Sequence, residues 1–382
     1  MLGVDRLLAS GELSGRRVGL VCSSASVDAT YRHSADRMWQ ADGVALTVLF
    51  GPQHGFRSSA QDNMVETPDT RHQRFDIPIY SLYGEHREPT AKMLGEIDLL
   101  VIDLQDVGTR VYTYVYTLAN CLRAAARHGV PVVVCDRPNP IGGALVEGPV
   151  LKAGYESFVG QFQIPLRHGM SIGELARLFN DAIGAEMEVS RLEGWTREAY
   201  HDDTGLPWIL PSPNLPTLES AVVYPGTVLL EGTNLSEGRG TTRPFELVGA
   251  PWIDGDALVT ALGRATVDGV VFQPTQFEPT FQKHAHEFCG GCQIHVTDRG
   301  TFRPVLTAVS LLEAIRKLDP TRYAWRKPPY EYETVKLPID ILSGSALLRE
   351  QLDTGAPAAE IAAMWAPDVA AFSDTRRSFL LY

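Results

Sequence analysis

The sequence predicts an α/β protein: a doubly wound parallel sheet in the first half, then a second, smaller α/β unit. Three observations carry this reading. Apolar runs of four to six residues, rich in Val, Leu and Ile, recur at 17–22, 46–50, 99–104 and 132–135, which is the length and composition of strands. Between the third and fourth lies 112–128, whose alanines and leucines predict a helix closed by Gly129 ahead of Pro131, and strands joined through helices pair in parallel. The chain of 382 residues is long for one core and comfortable for two.

In open α/β sheets ligands bind beyond the carboxyl ends of the strands, and every segment following a strand here is polar. Ser23 and Ser24 follow the first, G-P-Q-H-G (51–55) the second, D-L-Q-D-V-G (103–108) the third and D-R-P-N-P (136–140) the fourth. No G-x-G-x-x-G follows the first strand and no G-x-x-x-x-G-K-[ST] occurs, which argues against dinucleotide and P-loop chemistry. Residues 164–170 lead into a helix at 171–180, with Ser171 as N-cap and Glu174 completing a capping box. His168 therefore stands just before a helix N-terminus. Residues 206–216 hold four prolines in eleven positions, too many for a strand or helix interior, and read as a hinge dividing the chain into 1–215 and 216–382.

The second unit shows a strand-like 293–297, a helix-like 308–318 and a proline-rich 327–332. It also carries 231–246, a run of carboxylates, arginines, glycines and hydroxyls between apolar segments. That composition cannot be a core. It is a polar loop suited to a ligand covered in hydroxyl and acyl groups, such as a sugar, and is expected to cross from the second unit over the cleft.

A net charge of −12 disfavours nucleic acid or an anionic membrane as partner; the partner expected is a small molecule or oligosaccharide. With no signal-like start and no run near the ~18 apolar residues of a membrane span, the chain reads as cytoplasmic, or as periplasmic or secreted if a leader has been removed. Five cysteines are too few and scattered for a disulfide framework. Cys289-Gly-Gly-Cys292, with His284, His286 and His295 nearby, has the spacing of half a zinc site, weighed against a glycine turn before a strand at 293–296. The turn is preferred, and no metal or cofactor is expected.

Several segments together resemble one family. They are G-P-Q-H-G-F-R (51–57), I-P-I-Y-S-L-Y-G (77–84), I-D-L-Q-D-V-G-T-R-V-Y-T-Y-V-Y-T (102–117), D-R-P-N-P-I-G-G (136–143), V-E-G-P-V-L (146–151), P-L-R-H-G-M-S-I-G-E-L-A (165–176) and L-P-S-P-N-L-P-T (210–217). With these the chain resembles the NamZ family of exo-acting β-N-acetylmuramidases, formerly the domain of unknown function DUF1343. The resemblance implies a Rossmann-like catalytic domain with an auxiliary domain over its cleft, and release of terminal N-acetylmuramic acid from peptidoglycan fragments. It also exposes a departure: the family pattern carries Glu, the carboxylate regarded as central to catalysis, where this chain has Gln53. An amide has no titrating proton and cannot serve as general acid or base.

Three routes remain open on that basis, one of them the hydrolysis of a different bond. Otherwise either another carboxylate, Asp62, Glu85 or Asp106, supplies the acid while Gln53 orients the N-acetyl group for a substrate-assisted reaction, or the protein binds or senses a sugar without cleaving it. An esterase or amidase is disfavoured, since no G-x-S-x-G elbow is present. For substrate contacts the candidates are His54, Asp103, Arg110, Tyr112, Arg137, Asn139, His168, Asn214, Asn234, Glu237 and Arg239. Each has a structural competitor. Asp103 and Asp106 also suit helix caps, and Arg110 and Arg137 read either a lactyl carboxylate or neighbouring aspartates. At least one of Tyr112, Tyr114 and Tyr116 belongs to the core, and His54 and His168 also suit buried, satisfied histidines. Glu231, Glu237 and Glu246 are further candidates for the replacement acid, and at least one of them is expected to pair with Arg239 or Arg243 instead. The arrangement expected places Gln53, His54, Asp103 and Arg137 around one cleft.

Overall fold

The computed structural model describes every residue except 63 and 264–266. The first unit carries β1 (Arg17–Cys22), β2 (Ala45–Gly51), β3 (Thr70–Arg71), β4 (Pro78–Ser81), β5 (Leu99–Asp103), β6 (Val132–Cys135), β7 (Glu147–Val150), β8 (Pro165–Arg167) and β9 (Met187–Ser190). Among the described residues, seven of these form one sheet in the order β3-β4-β2-β1-β5-β6-β9, and β7 pairs with β8 in a separate ribbon. All neighbours in the large sheet run parallel except β3 against β4.

Alternation along each strand sends side chains to two apolar layers. On β5, Leu99 and Val101 join a cluster with Leu7 and Met38, whereas Leu100 and Ile102 join another with Leu118 and Leu122. Burial on both faces is why the strands read as continuous apolar runs rather than alternating ones, and each such side chain contributes about 1.5–3 kcal/mol on full burial. The helix expected at 112–128 begins at Tyr114 and ends at His128, closed by Gly129 in the left-handed conformation. Tyr112 and Thr113 thus stay in the connection after β5. The Ser171 capping box forms as expected, its hydroxyl accepting from the Glu174 N–H at 3.2 Å while Glu174 accepts from the Ser171 N–H at 3.0 Å.

From β1 the chain winds to β2 and β4 on one side and then to β5, β6 and β9 on the other, so the topological switch lies between β1 and β5. The protein's own groups close that crevice. Arg137 grips Asp103 through Nε–Oδ1 at 2.5 Å and Nη2–Oδ2 at 2.9 Å, its Nη1 donates to the Val27 carbonyl at 3.0 Å, and the Ser34 hydroxyl also donates to Asp103. Ligand space is therefore displaced toward the loops after β2 and β5.

The second unit opens with the helix Leu218–Thr227 and the short turn Val228–Gly232. Its sheet of β10 (Leu247–Ala250), β11 (Val270–Phe277) and β12 (Cys289–Val296) is antiparallel in the order β10-β12-β11, and the helices Pro304–Leu318 and Ala358–Arg376 pack alongside. Gly226 lets the first helix meet Pro304 closely: a Cβ there would lie 1.8 Å from the Pro304 carbonyl oxygen. The expected glycine turn at 290–291 is corrected, because Cys289-Gly-Gly-Cys292 lies wholly inside β12. Three apart in an extended strand, the two cysteines face opposite sides of the sheet, one against Leu247 and Phe277, the other in the main core. The proline-rich segment is pinned rather than loose: Tyr114 donates its hydroxyl to the Pro211 carbonyl at 2.7 Å, and the Asn214 amide pairs with Gln61 at 3.1 and 2.9 Å.

Candidate active site

A narrow pocket lined by residues of both units lies between them. Gln53 and His54 enter it after β2, Val111 to Thr113 after β5, and Ser212, Asn214 and Leu215 from the proline-rich segment. The second unit supplies Tyr224, Glu231, Arg239, Phe245, Tyr330 and Glu331. Tyr112, Tyr224 and Phe245 form an aromatic wall, with successive ring centroids 6.5 and 4.7 Å apart and nearly perpendicular planes.

The loop after β2 turns tightly. His54 sits at φ +69°, a left-handed conformation that costs a non-glycine residue about 1–3 kcal/mol, and is held there by Nδ1 donating to the Ala60 carbonyl at 2.7 Å. Burial pushes the imidazole down to about 4, and the nearby Arg239 charge adds to the effect. His54 is thus neutral at physiological pH, and with Nδ1 protonated its Nε2 is left as an acceptor. Gln53 accepts from the Thr113 hydroxyl at 2.6 Å through Oε1, which leaves its NH₂ as a donor near enough to Glu331 to favour that carboxyl's charged form.

Glu331 also accepts from the Tyr83 hydroxyl at 3.2 Å. Burial, and then the neighbouring Glu231 charge, push it up to about 7, against the smaller opposing pull of Tyr83, Arg239 and Gln53. Glu231 is bound differently: Oε1 meets Arg239 at 2.8 Å and Oε2 accepts from the Tyr330 hydroxyl at 2.8 Å. Arg239 in turn lies 3.3 Å from Glu237, whose other oxygen is 2.8 Å from Lys283. Burial alone would raise Glu237, but Lys283 and Arg239 outweigh it and hold the group low. One wall of the pocket is therefore a charge-balanced quartet, and Glu331 stands beside it as a carboxyl held near neutrality.

Family models described as the N-terminal and C-terminal parts of the exo-β-N-acetylmuramidase NamZ match residues 18–219 and 222–382. The chain belongs to the NamZ family. It is 43% identical over 384 residues to the peptidoglycan β-N-acetylmuramidase NamZ of Bacillus subtilis (strain 168), covering all of this chain and 91% of that one. Two crystal structures of DUF1343 family proteins from Bacteroides fragilis superpose with TM-scores of 0.89 and 0.79, at 32% and 27% identity, each over all of this chain and 98% of the other. The two-unit α/β architecture is thus that of solved family members.

Within this NamZ-family fold, five of the expected site residues line the pocket: Gln53, His54, Tyr112, Asn214 and Arg239. Glu237 stands behind Arg239 and secures it. The three proposed replacement acids are placed otherwise. Glu85 has a 90% exposed side chain and only a 4.0 Å contact with His86. Asp62 is half-buried, bonded to Gln282 and close enough to His54 to act on its charge. Asp106 is buried outside the pocket wall, where Oδ2 accepts from the Gly108 N–H at 2.8 Å and lies 3.2 Å from His168 Nε2.

The remaining candidates lie outside the pocket wall, and their polar groups serve the backbone or each other. Arg110 is fully buried and donates to the carbonyls of Pro149, Ile164 and Leu342 at 2.8, 3.1 and 2.6 Å. Asp103 and Arg137 form the ion pair that plugs the switch point and do not share the cleft with Gln53 and His54. Asn139 clasps Met170 and Ile141, His168 faces Asp106, and Asn234 bonds the Arg322 carbonyl and the Ala324 N–H. Tyr114 and Tyr116 are core along with Tyr112. Sequence reasoning missed Glu331, Tyr330, Thr113 and Tyr83. The only signal for Glu331 was a carboxylate between two tyrosines directly after Pro328-Pro329, in a stretch otherwise read as a proline-rich connection.

Proposed function

We propose that the protein is a glycoside hydrolase that releases terminal N-acetylmuramic acid, or a related amino sugar, from peptidoglycan fragments. The observation that carries the reading is the pocket itself: two buried carboxyl groups, Glu231 and Glu331, in unlike environments beside an aromatic wall. Glycosidases divide acid and anion roles between two carboxyl groups held in unlike environments. Likeness across the whole chain to a peptidoglycan β-N-acetylmuramidase supports the sugar class. The aromatic faces of Tyr112, Tyr224 and Phe245 suit a pyranose ring, while Asn214 and the free Nε2 of His54 suit its hydroxyl and acyl groups.

Gln53 has no titrating proton, so its part is positional. A substrate-assisted course accommodates this, with the N-acetyl oxygen attacking C1 in place of an enzyme carboxylate. Incubation with a chromogenic β-N-acetylmuramide, beside the Gln53→Glu variant, tests the reading. Wild type is expected to release the sugar. An inactive wild type restored by Gln53→Glu by a factor on the order of 10²–10⁴ would place the acid at position 53 instead, and sugar binding without turnover by either protein would overturn the hydrolase reading.

A further inference from the structure

Resting on that reading, we propose that Glu331 is the group that protonates the departing glycosidic oxygen, with Gln53 and Tyr83 fixing its carboxyl in place. Three features of the geometry carry this. Glu331 is 4% exposed and lines the pocket, so it reaches a bound ligand but not bulk water. The Tyr83 hydroxyl donates to the carboxyl at 3.2 Å, and the Gln53 amide, its oxygen committed to Thr113, is close enough to act on the Glu331 charge through its NH₂. The proton of the neutral carboxyl is therefore left for a ligand acceptor. Finally, the residue is held at φ +45°, with Tyr332 at +69°, and Tyr332 packs on Tyr83 and under Arg87, so a strained backbone is fixed where the carboxyl enters the cleft.

The Glu231 carboxylate supplies the electrostatic reason for a proton to stay on Glu331, since two negative charges in one dry pocket are disfavoured. In the step itself the Glu331 proton passes to the glycosidic oxygen as the C1–O bond breaks, and the leaving sugar departs as a neutral alcohol. The N-acetyl carbonyl oxygen bonds C1 and forms an oxazolinium. Water then attacks C1, reopening the acetamido group, and its proton returns to Glu331. The sum is glycoside plus water giving two free sugars.

The other acids near the cleft are less suited to this role. Glu231 and Glu237 are anions held by Arg239 and Lys283, Asp62 bonds Gln282, and Asp106 lies outside the wall.

The test compares wild type with Glu331→Gln, an isosteric change, on two substrates: a N-acetylmuramic acid–N-acetylglucosamine disaccharide, whose leaving group needs a proton, and a 2,4-dinitrophenyl N-acetylmuramide, whose leaving group does not. In kcat/KM, which reports the reaction up to C1–O cleavage, the loss expected is 10²–10⁴-fold on the disaccharide and at most about tenfold on the activated substrate, with an unchanged far-ultraviolet circular dichroism spectrum. Equal losses on both substrates, or none on the disaccharide, overturn the assignment to Glu331. A wild type that cleaves neither substrate instead overturns the hydrolase reading on which it rests.

Discussion

Residue type says what a side chain can do, and burial with partners decides whether it does so. Arg110 and Arg239 look alike in the sequence, each near glycine and threonine, yet Arg110 ties three carbonyls inside the fold and Arg239 faces the pocket. Gln53 and His54 were legible because they follow a strand in a glycine-bounded turn, and that local geometry is encoded locally. Glu331 was not, since its chemistry arises from Tyr83, Gln53 and Glu231, all distant in sequence. Its burial has a cost that can be measured. The folded carboxyl titrates near 7 instead of 4.5, so between those values the folded state keeps a proton that the unfolded chain has released, and stability falls as pH rises through that window. Glu331→Gln should therefore gain on wild type between pH 5 and pH 8, by up to roughly 3 kcal/mol; chemical denaturation at the two pH values checks this, and an identical difference at both would contradict it.

Elements were legible where a short apolar run or a cap marked them, which is why β1, β2, β5 and β6 and the Ser171 cap stand within a residue or so of expectation. The helix after β5 starts later than its alanines suggest because the preceding residues are held elsewhere: the Arg110 N–H bonds the Leu166 carbonyl at 2.8 Å, and Thr109 bridges Arg167. Those contacts are made by β8, and nothing in 109–113 alone announces them. The loop 231–246 does reach the pocket through Glu231, Arg239 and Phe245. It is no loosely attached cover, however, since Arg239 is clamped between Glu231 and Glu237, and Glu237 is held by Lys283. Removing one member leaves buried charge unbalanced, so Arg239→Ala should lose about 3–5 kcal/mol of stability as well as activity. Urea unfolding checks this, and an activity loss with unchanged stability would mark the loop as a purely ligand-facing element.

On the scale of the whole molecule, the site belongs to neither unit alone. The large sheet closes its own switch point with Asp103 and Arg137, and the second unit meets the loops after β2 and β5 with Tyr224, Phe245 and both buried carboxyls. Core residues of both units, Ile102 and Leu118 with Val248 and Ile294, share one apolar cluster, so the geometry that sets the Glu331 proton depends on the two halves staying packed together. Strand topology was readable from local pattern, whereas this joint pocket depends on how two patterns dock. The pH dependence of kcat/KM on the N-acetylmuramic acid–N-acetylglucosamine disaccharide tests the central claim most directly. A general acid held near 7 predicts that activity falls about tenfold per pH unit on the alkaline side of that value, with the native circular dichroism spectrum retained. Activity that stays level from pH 7 to pH 9 would contradict it.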